Sequence, residues 1–160
     1  MKPSIKKTLL FPFALIFLFS FYSCSKEDVP ASVYDEIGRY YIAKKITEMP
    51  PVDIIGGYSL AVGDIYLYKT SSAYYGKLEV LQIAVVTNFS ILTIKATTYK
   101  ENGTIFNETT SNNLVLLDTF YCDLDTMEKN ANTSNTNDFI WDGTDQVIQK
   151  RNGAVFLKYD

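Results

Sequence analysis

From Asp64 to Tyr159 the chain alternates apolar and polar positions with a period of two, the spacing of strands, and the alternation breaks at turn residues. Ile65 and Leu67 alternate with Tyr66 and Tyr68, and after the polar Ser71-Ser72 a long apolar strand runs from Leu78 to Val86. Within it Lys77 and Glu79 are in phase with Leu81, Ile83 and Val85, whereas Leu78 and Val80 are in phase with Gln82. A bulge near Val80 reconciles the two, because one extra residue swaps the face that looks inward. From Ile91 to Lys100 the pattern places Leu92, Ile94 and Ala96 inward and Thr93, Lys95 and Thr97 outward. Asn102-Gly103 predicts a type I′ hairpin onto Thr104–Thr109, Asn112-Asn113 a further turn, and Leu114–Cys122 a strand apolar on both faces, hence central. The polar run Asn130–Asn137 predicts a mobile loop with no core-facing residue. Phe139-Ile140-Trp141 leads to Asp142-Gly143 and Val147-Ile148 to Asn152-Gly153, two more hairpin signals, before a closing strand over Ala154–Tyr159. The expectation is an all-β fold: an antiparallel hairpin meander of seven or eight strands, closed as a barrel or folded as a sandwich.

Ahead of the meander, Ser32-Val33-Tyr34-Asp35 has the form of a capping box, and Val33, Tyr34 and Ile37 at helical spacing predict a short N-terminal helix. Gly38 interrupts it, and Tyr40–Thr47 reads either as a first strand or as the end of the helix. Met49-Pro50-Pro51 and Gly56-Gly57 predict a long surface loop over residues 48 to 63.

The first thirty residues follow another logic. Lys2, Lys6 and Lys7 precede the uncharged, Phe- and Leu-rich run Leu9–Tyr22, the order of a secretory signal, and fourteen residues are too few for a membrane helix, which needs about 20. Phe21-Tyr22-Ser23-Cys24 resembles the lipobox of bacterial lipoproteins, in the aromatic-rich form of the Bacteroidota. The resemblance implies cleavage before Cys24 and lipidation of its thiol. Lys26, Glu27 and Asp28 are similar to the lipoprotein export signal of that phylum, which implies an outer-membrane protein, lipid-anchored and facing the medium. Residues 1–23 are then a lipoprotein signal peptide, 24–31 a lipidated tether broken by Pro30, and 32–160 a single β-rich domain. Ile37-Gly38-Arg39-Tyr40-Tyr41 before a meander resembles lipocalin-like bacterial lipoproteins, which implies a barrel.

Removing the signal changes the composition. Three of the fifteen basic residues and five of the ten Phe leave with it, while all eighteen acidic residues and eleven of the twelve Tyr remain. The acidic balance argues against nucleic acid as a partner. Cys122 is the one cysteine after Cys24, so no internal disulfide holds the fold, and a buried inert thiol is expected. With no histidine, a Ser-His-Asp triad, a Cys-His pair and most zinc sites cannot be assembled.

Carboxylates are what remains for chemistry. Asp123 and Asp125 stand two apart, which on an extended chain puts them on one side about 6–7 Å from each other, within reach of the glycosidase range. Turn capping explains them as well, so no catalytic residue is assigned. Asp138, Asp142 and Asp145 around Gly143 offer oxygen ligands for calcium, with help from Asp123 or Asp125, but the spacing is not that of an EF-hand and hairpin chemistry accounts for Asp142-Gly143. Neither metal nor cofactor is assigned. Asp125-Thr126-Met127 resembles the periplasmic O-glycosylation acceptor of Bacteroidota.

Tyr66, Tyr68, Tyr74, Tyr75 and Trp141 are the expected ligand-binding residues, since aromatic faces flanked by Asn, Asp and Thr stack on sugar rings. Core packing and cross-strand pairing use tyrosine equally well. Two functions follow: a non-enzymatic surface module that binds a glycan or an outer-membrane uptake partner, or a lipocalin-like carrier of a small apolar ligand. They differ in whether these aromatics lie outside or line a cavity.

Overall fold

A computed structural model describes residues 32–160. The signal segment 1–23, Cys24 and the export residues Lys26, Glu27 and Asp28 lie outside the described residues. Among the described residues two helices, α1 (Val33–Glu36) and α2 (Arg39–Glu48), precede eleven strands. These are β1 (Tyr58–Ser59), β2 (Ile65–Lys69), β3 (Tyr75–Val86), β4 (Phe89–Tyr99), β5 (Ile105–Glu108), β6 (Leu114–Leu117), β7 (Tyr121–Asp123), β8 (Glu128–Asn130), β9 (Phe139–Asp142), β10 (Val147–Lys150) and β11 (Val155–Tyr159). The fold is all-β and antiparallel, in two sheets: β1-β10-β9-β7-β8, and β11-β2-β3-β4-β5 with β6 also on β4. The second sheet ends on β11 at one side and on β5 and β6 at the other, so the meander folds as a sandwich and does not close into a barrel.

Period-two alternation arises here from burial on both faces of the larger sheet. Its inner face sends Tyr66, Tyr68, Leu78, Val80, Leu92, Ile94, Ala96 and Phe156 into one core with Cys122, Phe139, Trp141 and Ile148 of the smaller sheet. Its outer face carries Ile65, Leu67, Tyr99, Val155 and Leu157, and α2 covers them with Ile42 and Ile46, one helical turn apart. The segment Tyr40–Thr47 is therefore helix, because its apolar residues meet a sheet only at that spacing. In β3 the bulge falls where the change of phase requires it: Val80 pairs with Ile94 and Gln82 with Thr93, leaving Leu81 unpaired and returning Ile83 to the inner face opposite Leu92.

Several connections depart from the meander. Gly103 alone of its dipeptide is left-handed (φ 85°), so Asn102-Gly103 ends a three-residue loop and not a type I′ turn. Asn152-Gly153 has both residues at positive φ (48° and 81°), yet it carries the chain from β10 in one sheet to β11 in the other. Thr119 (φ 65°) lies at the crossing from the larger sheet back to the smaller and splits Leu114–Cys122 into β6 and β7. β6 is an edge strand, paired with β4 only, and Asn112-Asn113 is a break between two segments lying in line along β4. The loop over residues 48 to 63 contains the short strand β1, with Tyr58 and Leu60 buried, and Asn137 of the polar run is buried with its Oδ1 accepting from the Ser134 N–H.

Tyr68, Gly76 and Thr98 stand directly opposite one another on β2, β3 and β4. A Cβ on Gly76 would lie 2.2 Å from the Tyr68 ring. Gly76→Ala is expected to displace that ring and destabilise the domain by about 1–3 kcal/mol, read as a lower urea midpoint. An unchanged midpoint would show that the ring is free to move aside.

Candidate functional site

Burial sorts the sequence-predicted aromatics into two groups. Tyr66, Tyr68 and Trp141 are 2%, 0% and 0% exposed, and each polar tip is satisfied inside: Tyr66 donates to the Ser59 carbonyl at 2.6 Å, Tyr68 bonds the Thr98 hydroxyl at 2.8 Å, and the Trp141 ring N–H reaches the Ser90 carbonyl at 3.3 Å. These three rings present no face to a ligand, contrary to the expectation from sequence. Alternation alone did not reveal that the tyrosine face of β2 looks into the sandwich while Ile65 and Leu67 look at the helix. Burial raises the Tyr66 hydroxyl to about 12. Cys122 is fully buried, and desolvation pushes its thiol well above the ordinary value, the state of an inert core cysteine.

Tyr74 and Tyr75 are only half-buried and lie beside a surface cleft. The cleft has a volume of about 360 Å³ and is lined by Arg39 at the start of α2, Ser72, Ala73 and Tyr74 of the β2–β3 turn, Tyr99 and Glu101. Tyr74 stacks on Phe106, 41% exposed, with ring centroids 4.6 Å apart and planes at 17°. The Arg39 guanidinium lies 5.2 Å from the centre of the Tyr75 ring and 5.6 Å from that of Tyr40. Its Nε is buried without a hydrogen-bond partner. Sequence reasoning missed Arg39, Tyr99, Glu101 and Phe106 because only the pairing of β4 with β5 and the docking of α2 bring them to Tyr74. Arg39 within the Ile37–Tyr41 motif was the one available signal.

The acidic candidates regroup. Asp123, Asp125 and Asp138 are all buried, with one carboxylate oxygen from each within 4.8 Å of the others. Asp123 Oδ1 accepts from the backbone N–H groups of Asp125 (2.9 Å) and Thr126 (3.1 Å), so it caps the β7–β8 turn. Asp138 Oδ1 accepts from the Ser71 N–H at 2.7 Å and Oδ2 from the Leu124 N–H at 2.8 Å. Two full charges at this separation repel by about 3 kcal/mol at an effective dielectric of ~20. Desolvation raises the Asp125 carboxyl, tempered by the neighbouring Ser72 and Thr70 hydroxyls, and raises Asp138 to about 6 against the backbone donors that lower it. Asp142 and Asp145 stand apart: Asp142 Oδ1 accepts from the Thr144 and Asp145 N–H groups and Oδ2 from Gln149, while Asp145 is exposed. Thr126, of the glycosylation-like triplet, is exposed in the β7–β8 turn.

Compared with known protein families, with curated proteins and with solved structures, the chain matches none. The reading of its sites rests on their chemistry.

Asp138 binds its proton more tightly folded, at about 6, than at its ordinary 3.8. Between those values the folded state holds more protons than the unfolded one, so this group's contribution to stability grows as pH falls from about 6 toward 4. In Asp138→Asn the titration is absent. The wild-type minus variant difference in unfolding free energy, from urea curves in chelator-treated buffer, is expected to increase from pH 6 to pH 4; a flat difference would show that Asp138 ionises normally.

Proposed function

We propose that this chain is an outer-membrane lipoprotein, anchored through Cys24 and facing the medium, whose β-domain is a non-enzymatic module binding a carbohydrate in the cleft between α2 and the β2–β3 turn. The observation that carries the binding reading is the combination at that cleft: the Tyr74 ring offers a stacking face, Glu101 and Ser72 offer polar groups, and Arg39 adds a cationic side chain to the lining. A sugar meets those needs together, with its C–H face on the ring and its hydroxyls as acceptor and donor. The volume lies in the range of small-ligand sites, about 300–1,000 Å³. A glycan presented by an outer-membrane uptake partner is met by the same recognition chemistry. No nucleic acid is part of this reading.

The carrier alternative requires an apolar interior space. Among the described residues the interior between the sheets is filled by Tyr66, Tyr68, Phe139, Trp141 and Phe156, none more than 2% exposed, which favours the surface module. The anchoring part rests on the lipobox-like Phe21–Cys24, the preceding fourteen-residue apolar run and Lys26-Glu27-Asp28. Among the described residues no helix is long and apolar enough to cross a membrane.

A glycan array probed with the purified chain is expected to give a defined set of bound sugars, and Tyr74→Ala and Arg39→Ala are each expected to weaken the best of them at least tenfold, about 1.4 kcal/mol, with unchanged circular dichroism. Equal binding by both variants would remove the cleft from the reading. For the anchor, Cys24→Ser is expected to release the chain from the membrane fraction. Replacing Lys26, Glu27 and Asp28 by Ala is expected to abolish its cleavage by protease added to intact cells, and continued cleavage would mean that those residues do not direct export.

A further inference from the structure

We infer that Asp123, Asp125 and Asp138 form a binding site for one calcium ion, built between the β7–β8 turn, the start of β9 and the β2–β3 turn. One oxygen from each carboxylate lies within 4.8 Å of the other two, and ligands across a calcium ion with bonds of about 2.3–2.6 Å are separated by at most about 5 Å. An ion at their centre lies no more than about 2.8 Å from each, so a shift of a few tenths of an ångström brings all three into its shell.

Proximity of acids is not by itself a site. The second observation is Asp125: the residue is 9% exposed, yet its Oδ1 has no hydrogen-bond partner. A buried carboxylate oxygen without a donor leaves a desolvated charge that the Ser72 and Thr70 hydroxyls beside the group compensate only in part. Nor does a basic side chain compensate the group. Among the described residues the ion pairs are Lys44–Glu48, Lys95–Asp35, Lys150–Asp53 and Lys158–Asp64, none of which involves the three aspartates.

The chemistry selects the ion. Every donor is a hard oxygen, since Thr70 and Ser72 add hydroxyls beside Asp125 and no imidazole exists in the chain. Oxygen-only sets suit calcium and magnesium, and donors drawn from two turns and a strand end suit the irregular, higher-coordinate shell of calcium better than a strict octahedron. Backbone donors already fix Asp123 and Asp138 in place, so the set is pre-organised. The ion would link segments of both sheets at one end of the sandwich. This set differs from an Asp138, Asp142 and Asp145 grouping, because among the described residues the carboxylate oxygens that come within 4.8 Å of one another are those of Asp123, Asp125 and Asp138.

The test is a titration of the chelator-treated full chain with calcium chloride. Isothermal calorimetry is expected to give one site per chain, and about 1 mM calcium is expected to raise Tm by about 5 °C or more. No saturable binding up to about 10 mM, or an equal Tm rise from sodium chloride at matched ionic strength, would overturn the inference. Asp125→Asn removes no hydrogen bond accepted by Oδ1 and is expected to weaken calcium at least tenfold, whereas the exposed Asp145→Asn is expected to bind as the parent does. Wild-type affinity in Asp125→Asn, or its loss in Asp145→Asn, would place the ion elsewhere. Should Asp125→Asn not fold, the parent titration and Asp145→Asn decide the matter.

Discussion

The sandwich depends on how one buried peptide unit, Leu124, is satisfied. Leu124 is fully buried where the β7–β8 turn of the smaller sheet meets the larger sheet. Its carbonyl accepts from the Thr98 hydroxyl at 2.6 Å, and its N–H donates to Asp138 at 2.8 Å. Thr98 has one hydroxyl hydrogen, which goes to Leu124, so the 2.8 Å contact with Tyr68 must be donated by the tyrosine. A chain of donors thus runs from β2 across β3 to β4 and into the opposite sheet. Gly76 is the residue over which it passes, and its missing side chain is what lets the Tyr68 ring lie there. Leaving such a group without a partner costs about 1–3 kcal/mol, so each member constrains the next.

The outer face is secured by a different device. Lys77, 3% exposed on β3, donates to the carbonyls of Tyr34 and Ile37, the latter at 2.7 Å, and lies 4.4 Å from the centre of the Tyr34 ring. Burial lowers its ammonium to about 8. Those carbonyls sit at the end of α1, where that of Tyr34 otherwise accepts only from the Ile37 N–H at 3.4 Å, and Tyr99 donates to the Ile37 carbonyl as well at 3.1 Å. The helical layer is pinned by polar groups reaching up from the sheet while Ile42 and Ile46 supply the apolar contact. Arg39 begins α2 immediately after this junction, so the pinning also sets the position of the cleft.

How much of this was legible follows from what each signal measures. Alternation reports the strand period, and so β2, β4, β11 and the phase shift that announces the bulge could be read along the chain. It does not report which face meets which layer, because a sheet buried on both sides is apolar on both. Whether Tyr66 and Tyr68 are core or surface was therefore open from alternation alone, and they are core. Turn dipeptides report local backbone: Asn152-Gly153 is left-handed at both residues as expected, but whether the next strand pairs or crosses to the other sheet depends on distant partners. The pair Asp123 and Asp125 was visible in sequence; that Asp138 joins it is a consequence of β7 pairing with β9. For the cleft, only Tyr74 and its neighbour Tyr75 were legible.

The length of the outermost strands has a bearing on how one molecule meets another. Among the described residues the free margins are β1 with two residues, β8 with three, β11 with five including the charged Lys158, the line of β5 and β6, which residues 109–113 interrupt, and the end of β3 beyond its pairing with β2, residues 81–86. An incoming strand needs an uninterrupted ladder of free N–H and C=O groups to add on. Four of these margins offer at most five residues each and resist such addition, whereas the far end of β3, where Val85 and Val86 are exposed, is the longest among the described residues and the one on which another strand could pair.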